Sequence, residues 1–346
     1  MRMKPLTLLA ILLIAGCGPA GPPEGPGAEA PPPAGVEGAG TSQASEPAQE
    51  APTGPVRVAF VTNNASDFWK IAEAGTHKAA EELGCDVIFR IPSKGTAEEQ
   101  QALVQDLIVT GVSGIAISPK DPVNQIEMLD EAAAKVNLIT QDSDAPDSNR
   151  ICYIGTDNYA AGRAAGELIK EALPEGGEIM VFVGTLDAQN AQDRLKGIED
   201  VLEGTGIDII DTRTDETDRS KAIANVQDTL VTHPDVACLV GLWSYNGPAI
   251  LNGVRDSGML GEVTIVCFDE EDETLQGVKD GHIFGTIVQQ PFQFGYESVK
   301  LLVELARGDR SRVPPDKQIY IDVLAIRQEN VDDFWTRLKK LTGKAP

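Results

Sequence analysis

The chain has 346 residues, with 29 Lys and Arg against 53 Asp and Glu, and a formal net charge of −24. A body this acidic does not bind nucleic acid through its overall field, and its length is sufficient for two domains of ordinary size. Five cysteines and three histidines lie without metal-ligand spacing, so a metal site has no sequence support.

Arg2 and Lys4 precede an apolar run from Leu6 to Ile14 that ends in Ile14-Ala15-Gly16-Cys17. A basic start, a short apolar core and small residues before the cut make a secretory signal, and the run falls short of the ~20 residues of a membrane span. Ile-Ala-Gly-Cys resembles the bacterial lipobox. That implies removal of residues 1–16, acylation of Cys17, and an exported protein held by lipid to the membrane, in the periplasm or at the outer face of the cytoplasmic membrane. Residues 17–55 are dominated by Pro, Gly, Ala and Glu and hold no aromatic residue, a composition that cannot bury enough apolar surface to fold. Extended at ~3.1 Å per residue, this tether reaches on the order of 100 Å.

From Val56 the sequence alternates short apolar strands with amphipathic helices. The pattern predicts strand Val56–Val61, helix Phe68–Leu83, strand Asp86–Arg90, helix Thr96–Thr110, strand Gly114–Ile117, helix Pro122–Ala134 and strand Asn137–Thr140. A second series has helices over 160–172, 191–202, 221–232, 245–257 and 273–280. They alternate with strands over 178–183, 207–212, 236–242, 264–268 and 284–288. Continuous apolar strands separated by helices mean parallel sheet covered on both faces, and hence two doubly wound, Rossmann-like α/β lobes. Cys238 and Cys267 lie in buried-strand patterns and read as small buried thiols; a bridge between them requires adjacent and suitably oriented strands. Val331–Leu341 reads as a C-terminal helix, with Asp332 and Asp333 at its start and Lys339 and Lys340 at its end.

In open parallel sheets ligands collect beyond the C-terminal strand ends. Here those positions carry Asn64, Ser66, Phe68, Trp69, Asp142, Ser143, Asn190, Trp243, Asp269 and Gln289. Carboxylates and amides bind hydroxyls, and rings cover apolar C–H faces, so this is the inventory of a site for a polyhydroxylated molecule.

Several motifs recur in order: Ser66-Asp67-Phe68-Trp69, Ile117-Ser118-Pro119, Asp142, Gly155-Thr-Asp-Asn158 before the Gly162 helix, Arg194-Leu-Lys-Gly197, Thr232-His-Pro-Asp235, Phe268-Asp269 and Thr286-Ile-Val-Gln-Gln-Pro291. Through them the body, from Val56 to about Ile326, resembles the periplasmic sugar-binding family that includes ribose- and galactose-binding proteins of ABC importers. The resemblance implies a type I periplasmic binding protein with a three-strand hinge near Thr156, Gln289 and Gln318. The first lobe would comprise 56–155 plus 290–318, and the second 156–289 plus 319–346. It further implies that Phe68 stacks on the ligand ring with Trp69 beside it and Asn64 and Ser66 in reach. Asp142, Asn190, Arg194, Asp269 and Gln289 would supply the polar contacts.

The sequence departs from the family where an arginine is usual and Ser143 stands. Thr217 occupies the place of a second stacking ring, and Trp243 replaces an expected asparagine. Trp243 is therefore expected to provide the opposing stacking surface. Asp142, Asp144, Asp187, Asp193, Asp269, Glu270, Glu271 and Asp272 gather at strand ends and read mainly as rim charges in water, while leaving an amino sugar open beside pentose, hexose and inositol-like ligands.

The resemblance implies hinge closure on a small sugar and delivery to an ABC permease and its ATPase, with no cofactor, no metal and no catalysis, the protein acting as a monomer. No Gly-x4-Gly-Lys-Ser/Thr loop and no Gly-x-Ser-x-Gly elbow appears. A transcription regulator of the same fold would begin with a basic helix-turn-helix instead of a lipobox. A sensor subunit that presents a sugar-like autoinducer to a signalling partner uses the same physics and is the alternative.

Overall fold

A computed structural model describes residues 55–343. The expected leader, Cys17 and the expected tether up to residue 54 lie outside the described residues.

The first lobe opens with β1 (Arg57–Val61), α1 (Asp67–Leu83), β2 (Asp86–Arg90), α2 (Ala97–Thr110), β3 (Gly114–Ile117), α3 (Ile126–Ala133), β4 (Asn137–Gln141) and β5 (Tyr153–Gly155). The second contains α4 (Asn158–Ala172), β6 (Gly177–Val183), α5 (Gln189–Leu202), β7 (Ile207–Thr214), α6 (Arg219–Thr232) and β8 (Cys238–Gly241). It continues through α7 (Asn246–Asp256), β9 (Thr264–Phe268), α8 (Asp272–Lys279) and β10 (Gly285–Val288). The chain then returns to the first lobe with α9 (Pro291–Ala306) and β11 (Gln318–Tyr320), and ends in the second with β12 (Leu324–Ile326) and α10 (Val331–Leu341).

Each lobe is a six-stranded sheet, ordered β11-β5-β4-β3-β1-β2 in the first and β12-β10-β9-β8-β6-β7 in the second. The orders superimpose strand for strand, so β4 corresponds to β9 and β5 to β10. All pairings are parallel except β10 with β12, and the central strands are buried end to end, as a sheet covered by helices on both faces requires.

Three short elements, β5, β11 and β12, escape the sequence pattern because three residues carry no periodicity. The third crossover falls at residues 321–323, slightly past Gln318, because Tyr320 still pairs with Gly155 in the first sheet. Helix α3 starts at Ile126, not Pro122. The Asp121 carboxylate accepts from the Asn124 backbone N–H, and Gln125 Oε1 accepts from the Asp121 N–H, a local turn that competes with helix.

Cys238 and Cys267 are free and buried on adjacent strands. Cys238 pairs in register with Thr264, three residues before Cys267, so the two thiols point to opposite faces of the sheet and into different cores. That geometry forbids a bridge.

Candidate functional site

Asp142 follows β4 and Asp269 follows β9, at corresponding places in the two sheets, and both adopt left-handed backbone, φ 60° and 67°. Such a conformation in a non-glycine residue costs on the order of 1–3 kcal/mol and persists only where its surroundings enforce it. Here the enforcement is duplicated. The Asp142 N–H donates to the Ile154 carbonyl (3.2 Å), and its carbonyl accepts from the Tyr153 hydroxyl (3.1 Å). The Asp269 N–H donates to the Ile287 carbonyl (2.8 Å), and its carbonyl accepts from the Thr286 hydroxyl (2.8 Å).

Each carboxylate is gripped on one oxygen. Asp142 Oδ2 accepts from Ser118 Oγ (2.9 Å) and Asn63 Nδ2 (3.3 Å). Gln100, fully buried, donates through Nε2 to the carbonyls of Thr62 and Ser118, fixing the two strand ends that carry these donors. Asp269 Oδ1 accepts from Gln289 Nε2 (3.0 Å), and Gln289 Oε1 accepts from Thr156 Oγ1 (2.9 Å), so two of the crossovers between the lobes are joined here. Among the described residues, Asp142 Oδ1 and Asp269 Oδ2 have no protein partner.

Arg194 rises from α5 and is 2% exposed. Its Nε donates to Asn158 Oδ1 (3.0 Å), its Nη1 donates to the Leu242 carbonyl (2.7 Å), and its Cζ lies 4.5 Å from the centroid of the Phe268 ring. Nη2 is the nitrogen left over. Gly162 sets this geometry: a Cβ there would lie 2.1 Å from the Arg194 carbonyl oxygen, so only glycine lets α4 approach α5 so closely.

The charges of the two lobes act on one another. Burial is the main force pushing the Asp142 carboxyl up to about 6; the Ser118 hydrogen bond and the Arg194 charge oppose the rise, and Asp269 adds to it. Asp269 is raised mainly by burial, against the pull of Arg194. The Arg194 guanidinium is lowered by burial and supported by both carboxylates.

Trp243 is half-buried, and its indole N–H donates to Asn190 Oδ1 (3.2 Å). Its ring lies over Gly184, where a Cβ would come within 2.1 Å of Cζ3, and meets Tyr245 edge-on at 6.4 Å. The Tyr245 hydroxyl is bound to the buried Asp215. Phe68 is also half-buried and sits edge-on to Trp69 at 5.0 Å.

Three expectations are corrected. Trp69 is 1% exposed, packed in the first-lobe core against Phe60, and its indole N–H donates to Asn64 Oδ1 (3.2 Å). Asn64, itself exposed, donates through Nδ2 to Asn63 Oδ1 (2.8 Å). Asn63 and Ser118 reach Asp142; Asn63, two residues past β1, and Ser118, directly after β3, lie at strand ends, and that position was the sequence signal for them. Glu270 is no rim charge: it is 8% exposed. Asp144 is likewise committed within its lobe, gripping the buried Arg150 through two oxygens at 2.5 and 2.6 Å. Ser66 is exposed at the start of α1 without a side-chain cap, and Ser143 is half-buried beside Asp142.

Two equivalent α/β lobes with a polar site between their strand ends define a type I periplasmic binding fold. The sequence matches the periplasmic binding protein domain over residues 58–310, and the chain belongs to that family. It is 27% identical over 259 residues to the ribose import binding protein RbsB of Salmonella typhimurium, which covers 73% of this chain and 86% of that protein. It is 27% identical over 272 residues to the D-ribose/D-allose-binding protein of Pseudomonas aeruginosa, covering 75% and 84%. Among solved structures, it resembles an ABC transporter solute-binding protein of Burkholderia graminis in complex with D-arabinose, at TM-score 0.75 and 30% identity, covering 82% and 98%. By name the first two relatives bind ribose or allose, and the solved structure holds D-arabinose.

Proposed function

We propose that this protein is the sugar-capturing lipoprotein of an ABC importer, anchored through Cys17 and closing its lobes on a pentose- or hexose-like ligand for delivery to a membrane permease. The observation that carries this reading is a set of three polar termini outside the protein's own hydrogen bonds, Asp142 Oδ1, Asp269 Oδ2 and Arg194 Nη2, on residues of both lobes whose charges act on one another. Two acceptors and a planar donor suit a ring bearing several hydroxyls, with Phe68 and Trp243 as apolar faces. Contacts shared by both lobes favour closure by their differential affinity for the closed state.

A thermal-shift screen against sugars, polyols and amino sugars tests the reading. A ligand at 100 times its dissociation constant adds ~2.7 kcal/mol, an easily measured rise in melting temperature. Silence across the panel would remove the sugar assignment.

A further inference from the structure

The polar inventory of the cleft is unbalanced. Asp142 and Asp269 both feel the charge of Arg194, yet a third carboxyl, Glu270, directly follows Asp269 and is 8% exposed. Its Oε2 is buried without a hydrogen-bond partner, and so is Oε1 of Gln141, the residue directly before Asp142. Each aspartate therefore has a chain neighbour with a buried acceptor and no donor. The rim cation Arg219 is committed to Glu271 at 2.9 Å, and Ser143 stands where the family resemblance places a second arginine. Burial, and next the charge of Asp269, push the Glu270 carboxyl well above the usual carboxylate range. A buried acceptor without a donor costs about 1–3 kcal/mol, more when charged, so a donor brought to Glu270 would be stabilising.

We infer that the ligand carries an ammonium group, as an amino sugar does, seated against the paired carboxyls of Asp269 and Glu270. The inference rests on the sugar-receptor reading and narrows its substrate class. An ammonium supplies three donors and a unit of positive charge, whereas a hydroxyl supplies one donor and no charge. Glu270 Oε2 has no hydrogen-bond partner, and an added positive charge relieves the repulsion between the two carboxyls. A neutral sugar fills the same space but leaves Glu270 holding its proton.

Calorimetry on the full-length protein, comparing D-glucosamine with D-glucose and D-galactosamine with D-galactose, tests this in the parent and in Glu270→Gln. The expected result is that the amines bind about tenfold tighter or more, and that Glu270→Gln removes most of that preference without lowering the melting temperature. Amine binding should also release a proton in the parent, read from titrations in buffers of different ionisation enthalpy, and not in the variant. Equal or tighter binding of the neutral partners, or an amine preference that survives in Glu270→Gln, overturns the inference and leaves the sugar-receptor reading standing. Silence toward the wider sugar panel as well overturns both.

Discussion

The hydroxyls of Tyr153 and Thr286 perform the same task in opposite lobes: each donates to the backbone carbonyl of a left-handed aspartate, Asp142 and Asp269 respectively. Their equivalence follows from register. Ile154 faces Gln141 and Ile287 faces Phe268, so Tyr153 and Thr286 each sit one residue before the position beside the strand end. The site is thus built twice by one design, with different side chains supplying the same hydrogen bond.

Removing either hydroxyl should loosen its own aspartate. Tyr153→Phe and Thr286→Val are each expected to lower stability by about 1 kcal/mol and to weaken ligand binding several-fold. Denaturant melts paired with calorimetry check this; unchanged affinity in both variants would show that the left-handed turns hold without the hydroxyls.

Gly162→Ala should act on the ligand through Arg194. The added methyl meets the Arg194 carbonyl oxygen and Cα, forcing α4 and α5 apart. Overpacking of this kind costs ~1–3 kcal/mol, and a displaced guanidinium should lose ligand affinity by roughly a hundredfold while the protein still folds. An Ala variant that binds like the parent would dissociate Arg194 from recognition.

Phe68 and Trp69 should separate under mutation. Trp69→Phe opens a gap in the first-lobe core and releases Asn64, so a loss of about 1–3 kcal/mol in stability with a small change in affinity is expected. Phe68→Ala should show the reverse balance, with affinity falling at least tenfold. Matched unfolding and binding measurements on the two variants decide the assignment.

Much of this was readable in the chain. The strand and helix alternation pointed to two parallel sheets, and because ligand sites lie beyond strand ends, Asp142 and Asp269 were among the polar residues singled out there, with their roles coming from the family resemblance. The division of labour between Phe68 and Trp69 was not readable: they are neighbours in the first turn of α1, where too few residues exist to show which face meets Phe60. Glu270 was hidden for a different reason. In the run Glu270-Glu-Asp-Glu273 every residue reads as solvated, and the left-handed turn at Asp269 that precedes its burial has no local signature in a non-glycine residue.

The same carboxyls predict how the ligand-free protein responds to pH. Asp142 is raised to about 6 in the folded state from an ordinary value near 3.8, chiefly by burial. A folded-state value above the unfolded one means that the native protein binds more protons between them. Its contribution to stability is therefore fully present below the unfolded value and is lost as pH rises through about 6. Asp269 and Glu270 are shifted in the same direction by burial. Surface carboxylates such as Glu82 and Glu99 are lowered by hydrogen bonds and act oppositely, so the whole-protein curve mixes both signs. The difference between the parent and Asp142→Asn isolates the cleft. The substituted amide cannot ionise, so the variant should gain on the parent as pH rises from about 5 to about 7.5, by roughly 1–3 kcal/mol, with a smaller difference or the opposite sign at the acid end. Melting temperatures of both proteins across that range check it, and parallel curves would place Asp142 in water with an ordinary carboxylate.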